Sequence, residues 1–87
     1  MSYELRLRRA AQKSLDALPE TDYRTVAKSI SGLQDDPRPP KVKKLGASGL
    51  WRIRVGQHRV VYAVDDASRT VTIVRVARRQ EDTYKGL

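Results

Sequence analysis

The sequence predicts an α+β fold, in which an N-terminal strand and a helical hairpin precede a curled, mainly antiparallel sheet of three or four strands with the helices on one face. Three features indicate this order. Apolar residues alternate over residues 3–8, follow a helical period over residues 10–33, and alternate again around a glycine turn after residue 50. The 87 residues are enough for a single domain, 1–87, with a modest core.

The N-terminal third contains the first strand and the two helices. Tyr3, Leu5 and Leu7 alternate with charged residues, as in a half-buried strand. A helical period then runs from Ala10 to Pro19, which ends the first helix and can open the second, because proline suits a first helical turn. The apolar stripe of the second helix comprises Tyr23, Val26, Ala27, Ile30 and Leu33.

The remaining residues are predicted to form the sheet. We expect, in order, a basic connector at 37–44, a loop at 45–50 that a short strand enters, strands at 51–55, 58–64 and 70–77, and a polar tail at 78–87. Gly56 and Gln57 fit a two-residue hairpin loop with glycine first. The β-branched residues of the last strand favour an interior position in the sheet.

The positive charge is concentrated in the second part of the chain. The net charge is +8, from 18 Lys and Arg against 10 Asp and Glu. Residues 1–36 hold six basic and six acidic side chains, so residues 37–87, with twelve and four, carry the whole surplus. This asymmetry predicts a polyanion-binding surface on the C-terminal strands, although a merely soluble basic domain would share the composition.

Composition also argues against several classes of protein. The chain has no cysteine, and hence no disulfide or thiolate metal site. No apolar run approaches the roughly 20 residues of a membrane helix, and the charged N-terminus is unlike a signal peptide. We therefore expect a cytoplasmic protein without membrane association. His58, the only histidine, has no clustered carboxylates, so no metal or other cofactor is predicted.

Arginines are grouped on the strand face that the helices are expected to leave free. Arg52 and Arg54 are two apart on one strand and so project from the same face. Arg59 follows on the adjacent strand, and Arg79 ends the last one. Each arginine alone would be ordinary on a solvated strand. Together they place like charges across a sheet, which costs stability unless an anion binds, and guanidinium groups match phosphate oxygens.

For several other notable side chains, a structural role is an alternative to a functional one. Tyr62 lies in an apolar run and is predicted to be core, and His58 alternates away from Arg59. Trp51 is expected to be a core or sheet-edge aromatic, with base stacking as the alternative. Tyr84, in the polar tail, could pack on the sheet, stack on a base or transfer a proton.

Three motifs give the chain a resemblance to the RelE/ParE toxin superfamily. They are W-R-I-R-V at 51–55, H-R-V-V-Y at 58–62, and V-A-R-R at 76–79 followed by a tail tyrosine. The segments SYELRLRRAAQKSLDALP and DDPRPPKVKKL are also similar to that family, so the resemblance covers nearly the whole chain. It implies the same fold as the periodicity.

The superfamily contains ribosome-dependent ribonucleases and gyrase poisons on one scaffold, so the fold alone does not choose between them. Resemblance to the RelE branch implies a catalytic set made of Arg52, Arg54, Arg59, Arg79 and Tyr84. Gyrase inhibitors do not need this set, which favours RNA cleavage. The tail between Arg79 and Tyr84 is one residue shorter than in the best-known member.

The resemblance thus implies a toxin that cleaves messenger RNA on the ribosome without metal, leaving a 2′,3′-cyclic phosphate and a 5′-hydroxyl. The implied partners are a cognate antitoxin, RelB-like or of another family, the ribosome and mRNA, and operator DNA through the toxin–antitoxin complex. Contacts with ribosomal or messenger RNA are predicted for Lys41, Lys43, Lys44 and Arg78. The alternatives are a gyrase-inhibiting toxin without ribonuclease activity and a non-toxic nucleic-acid-binding domain.

Overall fold

The fold follows the predicted order of elements in the computed structural model, which describes residues 2–78. The elements are β1 (Glu4–Leu7), α1 (Arg9–Asp16), α2 (Glu20–Gly32), β2 (Lys43–Leu45), a short 3-10 turn (Gly46–Ser48), β3 (Leu50–Val55), β4 (His58–Asp65) and β5 (Thr70–Arg78). The α+β class and the short strand that enters Leu45 are both confirmed. Neither helix in this part of the chain is long and apolar enough to span a bilayer.

The five strands form one mixed sheet in the order β1-β5-β4-β3-β2. Strands β2 to β5 pair antiparallel, which confirms the predicted sheet of up to four such strands. The β3–β4 hairpin turns at Gly56, whose φ of +60° suits glycine. Strand β1 adds a fifth, parallel strand at the edge beside β5. As predicted, β5 is therefore an interior strand.

The helices differ from the predicted pattern at two points. Helix α1 ends at Asp16, three residues before Pro19, and Pro19 is the N-cap of α2 rather than its first helical residue. In α2, Val26 and Ile30 are buried, but Tyr23 is 38% exposed. The inclusion of Tyr23 in the packed stripe was wrong, because at 3.6 residues per turn it lies on the margin of the face that contacts the sheet.

A single apolar cluster fills the space between the helices and one face of the sheet. Its buried members come from α1, α2, the residue that follows α2, and the three longest strands: Ala11, Leu15, Val26, Ile30, Leu33, Val55, Val60, Tyr62, Val71, Ile73 and Val76. Tyr62, predicted to be core, is fully buried, and its hydroxyl donates a hydrogen bond to the Pro37 carbonyl oxygen at 2.7 Å. This bond ties the start of the connector to the middle strand of the sheet.

Burial of Tyr62 should make the fold sensitive to alkaline pH. Burial raises the pKa of Tyr62 from 10.0 to about 12. Between these values the unfolded chain has lost a phenolic proton that the folded chain keeps. The contribution of Tyr62 to stability is therefore complete below about pH 10 and falls as the pH rises towards 12.

We expect the melting temperature of the wild type to fall more steeply across this pH range than that of Tyr62→Phe, which has no phenol to ionise. Circular-dichroism melts at a series of pH values measure the difference. Parallel slopes for the two proteins would contradict the prediction.

Candidate nucleic-acid interface

The sheet face opposite the helices is predominantly basic. The strand register places five cationic side chains of β2 to β5 on it, a set that we call the basic face: Lys43, Arg52, Arg54, Arg59 and Arg75. The residues that alternate with them on β3 and β4 point to the helices. Val55, Val60 and Tyr62 among these are buried. The predicted grouping of Arg52, Arg54 and Arg59 on one face is thus confirmed.

The cations lie in two rows that cross the strands. In the first row Lys43 pairs with Arg52, Arg52 with Val61, and Val61 with Arg75. In the second row Arg54 pairs with Arg59, and Arg59 with Ala77. Neighbouring strands are about 4.8 Å apart, so the positive charges are closely spaced.

Like charges directly opposite each other weaken a sheet, and Arg54 and Arg59 form such a pair. Several other arginines of the described residues have carboxylate partners. Arg6 pairs with Glu4 at 2.7 Å, Arg24 with Glu20 at 2.5 Å, and Arg38 with Asp66 at 2.8 Å. The five cations that the register gathers on adjacent strands give the basic face a local excess of positive charge, which favours the binding of a polyanion.

Arg75 is the member of the basic face that the sequence did not predict. Strict alternation from Val71 and Ile73 would place residue 75 against the core. The register shifts between Val61 and Tyr62, however, because Val61 pairs with Arg75 while Tyr62 pairs with Ile73, which leaves one extra residue in β5. This β-bulge turns Arg75 to the basic face and Val76 to the core. The sequence signal of this change is the arginine at 75, where alternation expects an apolar residue, followed directly by a valine at 76.

Arg59 and Arg75 face a shallow pocket on the basic face. Its volume is about 140 Å³, and it is lined by Arg59, Val61, Arg75, Ala77 and Arg78. Arg75 is exposed, whereas Arg59 and Val61 are half-buried. The lining thus combines small or apolar side chains with guanidinium groups.

The remaining predicted contact residues are more dispersed. Lys41 is exposed on the connector, and Lys44 lies on the helix side of the sheet, with Nζ 5.9 Å from the Trp51 ring centroid. Arg78 ends β5, and its Nη2 donates a hydrogen bond to Gln57 Oε1 at 3.0 Å. Arg79 and Tyr84, both predicted to be catalytic, lie outside the described residues 2–78.

His58 and Trp51 both lie on the helix side of the sheet, where each contacts a charged side chain. His58 is 6% exposed, and its Nε2 lies 3.3 Å from Asp22 Oδ2. As predicted, it faces away from the basic face. Trp51 is partly buried against the core, and the Arg38 guanidinium carbon lies 5.1 Å from its ring centroid. Trp51 is therefore a structural aromatic in this fold, as expected.

Arg38 also anchors the connector that precedes β2. Its two terminal nitrogens donate to the two carboxylate oxygens of Asp66 at 3.2 and 2.8 Å, and the Tyr3 hydroxyl donates to the same carboxylate at 2.7 Å. These hydrogen bonds lower the pKa of Asp66 below its usual value. The connector that carries Lys41 and leads into β2 is thereby held beside the sheet. Among residues 2–78, no three His, Asp or Glu side chains are grouped in a way that could hold a metal ion.

Comparison with known proteins gives consistent likenesses along nearly the whole chain. The family model described as "ParE toxin of type II toxin-antitoxin system, parDE" matches residues 5–83. The chain is 33% identical to "Toxin RelE" of Mycobacterium tuberculosis over 88% of this chain and 81% of that protein. It is 29% identical to "Putative toxin RelE1" of Methanocaldococcus jannaschii over 98% of each.

The fold is similar to that of solved toxin structures. The archaeal RelE–RelB complex from Pyrococcus horikoshii OT3 superposes with a TM-score of 0.83 at 29% identity, covering 93% of this chain and 99% of that chain. Residues 5–83, which the family model matches, include both helices and strands β2 to β5, which carry the basic face.

Proposed function

The chain belongs to the ParE toxin family of type II toxin–antitoxin systems, and from this premise we propose that it is a ribosome-dependent endoribonuclease that cleaves mRNA and inhibits translation. The observation that carries the proposal is the open basic face, on which Arg52, Arg54 and Arg59 lie on adjacent strands. A site for a small apolar ligand would not need three guanidinium groups on an open sheet. A phosphodiester chain does, because its charge is spread along an extended backbone.

The proposed reaction is an in-line attack of an RNA 2′-hydroxyl on the adjacent phosphorus. The 2′-oxygen–phosphorus bond forms as the bond from phosphorus to the 5′-oxygen breaks, which gives a 2′,3′-cyclic phosphate and a 5′-hydroxyl. Arg52, Arg54 and Arg59 bind the phosphate and stabilise the charge that grows on its oxygens.

Proton transfer is assigned to the residues after β5. In the proposal, Tyr84 takes the proton from the 2′-hydroxyl. Arg79, which directly follows the last residue of β5, stabilises the departing 5′-oxygen by charge and hydrogen bonding. A guanidinium is a poor acid at neutral pH, so the leaving oxygen takes its proton from water.

Ribosome dependence is supported by the lack of an imidazole general base on the basic face among residues 2–78. His58, the only imidazole in the chain, is buried on the helix side of the sheet beside Asp22. A site with strong phosphate binding and weak acid–base chemistry needs its substrate held close to the reactive geometry. We infer that the ribosome supplies this orientation, which places the activity in the cytoplasm. Lys41, Lys43, Lys44 and Arg78 would then contact RNA backbone around the site.

We infer further that a cognate antitoxin neutralises the protein. The Pyrococcus horikoshii relative was solved as a complex of RelE with RelB. An acidic segment of a RelB-like antitoxin would be attracted to the basic face and would compete with RNA for it. The toxin–antitoxin complex would bind operator DNA through the antitoxin.

Primer extension on cellular mRNA after induction of the protein tests this function. We expect new 5′ ends within translated messages soon after induction, together with growth arrest. A supercoiling assay on purified DNA gyrase is the matched control. Growth arrest with loss of gyrase supercoiling and no mRNA cuts would instead indicate a gyrase inhibitor, and the absence of growth arrest would indicate a non-toxic nucleic-acid-binding domain.

A further inference from the structure

We propose that Arg75 is an additional phosphate-binding residue, and that the RNA strand crosses the sheet along the row formed by Lys43, Arg52, Val61 and Arg75. This inference rests on the proposed function, since it assigns a path to the substrate of the same site. Neither the motifs of the sequence nor its resemblance to known toxins assigned a role to Arg75.

The β-bulge in β5 is the first observation. It inserts one residue between the partners of Val61 and Tyr62, and so reverses the side to which Arg75 points. Without the bulge, a guanidinium would be directed at the apolar core, where an unpaired charge is very costly. Bulges commonly redirect a side chain beside a functional site. Here the redirected side chain is a cation that joins an already basic surface.

The position of Arg75 within the row is the second observation. Arg52 on β3 and Arg75 on β5 flank Val61 on β4, one strand away on each side. Their backbones are therefore about 10 Å apart, twice the usual distance between strands. The two guanidinium groups are placed to bind phosphates on either side of one nucleotide. Val61 is half-buried and offers that nucleotide an apolar floor.

The shallow pocket between Arg59 and Arg75 is the third observation. Its volume is about 140 Å³, and Val61 and the small Ala77, the strand partner of Arg59, line it together with the two arginines and Arg78. Arg75 is exposed, so its side chain can turn toward a bound phosphate. Arg59 and Arg75 can then approach the same phosphate group from opposite sides.

Arg6 provides a matched control on the same face of the sheet. It lies on the edge strand β1, pairs in register with Thr72 of β5, and forms an ion pair with Glu4 at 2.7 Å. Its removal deletes the same charge from the same side of the sheet. Arg6 lies two strands away from Val61, the centre of the row that contains Arg52 and Arg75. A general effect of net charge would appear equally in Arg6→Ala and Arg75→Ala.

The first measurement is binding of a short single-stranded RNA with 2′-O-methyl groups, which cannot be cleaved, followed by fluorescence anisotropy over a range of salt concentrations. We expect Arg75→Ala to weaken binding about tenfold, as loss of one charge-assisted hydrogen bond does. The slope of log affinity against log salt should become shallower by about 0.7. Arg75→Lys should keep most of the slope, and Arg6→Ala should resemble the wild type.

The second measurement is cleavage of mRNA on purified ribosomes by the same proteins, together with Arg52→Ala. If Arg52→Ala is defective while Arg75→Ala matches Arg6→Ala in both measurements, the role of Arg75 is wrong and the proposed function stands. If Arg75 alters the salt slope but the wild type cuts no mRNA, Arg75 binds phosphate and the proposed function is wrong. If the wild type neither binds nor cuts RNA, both are wrong.

Discussion

Replacing Arg52 with alanine is expected to relieve growth arrest and to lower ribosome-dependent mRNA cleavage by at least on the order of 100-fold, the usual effect of removing one preorganised donor from a developing negative charge. Arg52 belongs both to the row of side chains that crosses the strands and to the pair of arginines on β3. It pairs with Lys43 of β2 and with Val61 of β4, and it shares β3 with Arg54. Cleavage rates on purified ribosomes measure the effect directly.

Two variants serve as controls for Arg52→Ala. One tests whether positive charge alone is enough for activity, and the other tests whether loss of any exposed arginine lowers it. Arg52→Lys keeps the charge but loses the planar pair of donors, so we expect activity between those of Arg52→Ala and the wild type. Arg24→Ala removes an exposed arginine of α2 that is paired with Glu20, away from the sheet. It should cleave as the wild type does. Full toxicity of a correctly folded Arg52→Ala protein would exclude the basic face as the active site.

The second large effect is expected on stability, at Tyr62. Its ring is fully buried in the centre of the core, and truncation to alanine should cost about 3–5 kcal/mol through lost contacts and the remaining cavity. A chain of 87 residues has a total stability of roughly 4–13 kcal/mol at the usual 0.05–0.15 kcal/mol per residue. Tyr62→Ala is therefore expected to leave a substantial fraction of the protein unfolded.

Tyr62→Phe isolates the hydroxyl from the ring. It retains the ring and removes the hydrogen bond to Pro37, leaving a carbonyl without its partner, so we expect a loss of about 1–2 kcal/mol. Urea denaturation followed by circular dichroism gives both free energies of unfolding. If Tyr62→Ala were as stable as Tyr62→Phe, the ring could not be the centre of the core. Loss of toxicity in Tyr62→Ala would accompany loss of structure, unlike that in Arg52→Ala.

Local periodicity was enough to predict the elements of this fold. Alternation at Leu5 and Leu7, the stripe through Val26 and Ile30, and the glycine turn at Gly56 each depend on residues close together in the sequence. The pairing of β1 with β5 could not be predicted in this way. It joins opposite ends of the chain, and no residue in β1 specifies whether its neighbour is parallel or antiparallel.

The site was predictable to the extent that the strands alternate regularly. Arg52 and Arg54 are two apart on a regular strand, and a tight hairpin brings Arg59 beside them. Arg75 was missed because the bulge in β5 breaks the alternation. The position of the bulge depends on how β5 pairs with β4, which local sequence does not specify. Position 23 was misjudged for a related reason, since the width of the buried helix face depends on how the helix sits on the sheet. Arg79 and Tyr84 stay predictions.

The most direct measurement is to incubate the purified protein with ribosomes that carry a defined mRNA and to map both the cut sites and the chemistry of the new ends. We predict cuts within a codon held on the ribosome, with 2′,3′-cyclic phosphate and 5′-hydroxyl ends. The same mRNA should stay intact without ribosomes, and it should stay intact with Arg52→Ala. Undamaged mRNA on ribosomes treated with active, folded wild-type protein would contradict the assignment of the basic face to RNA cleavage.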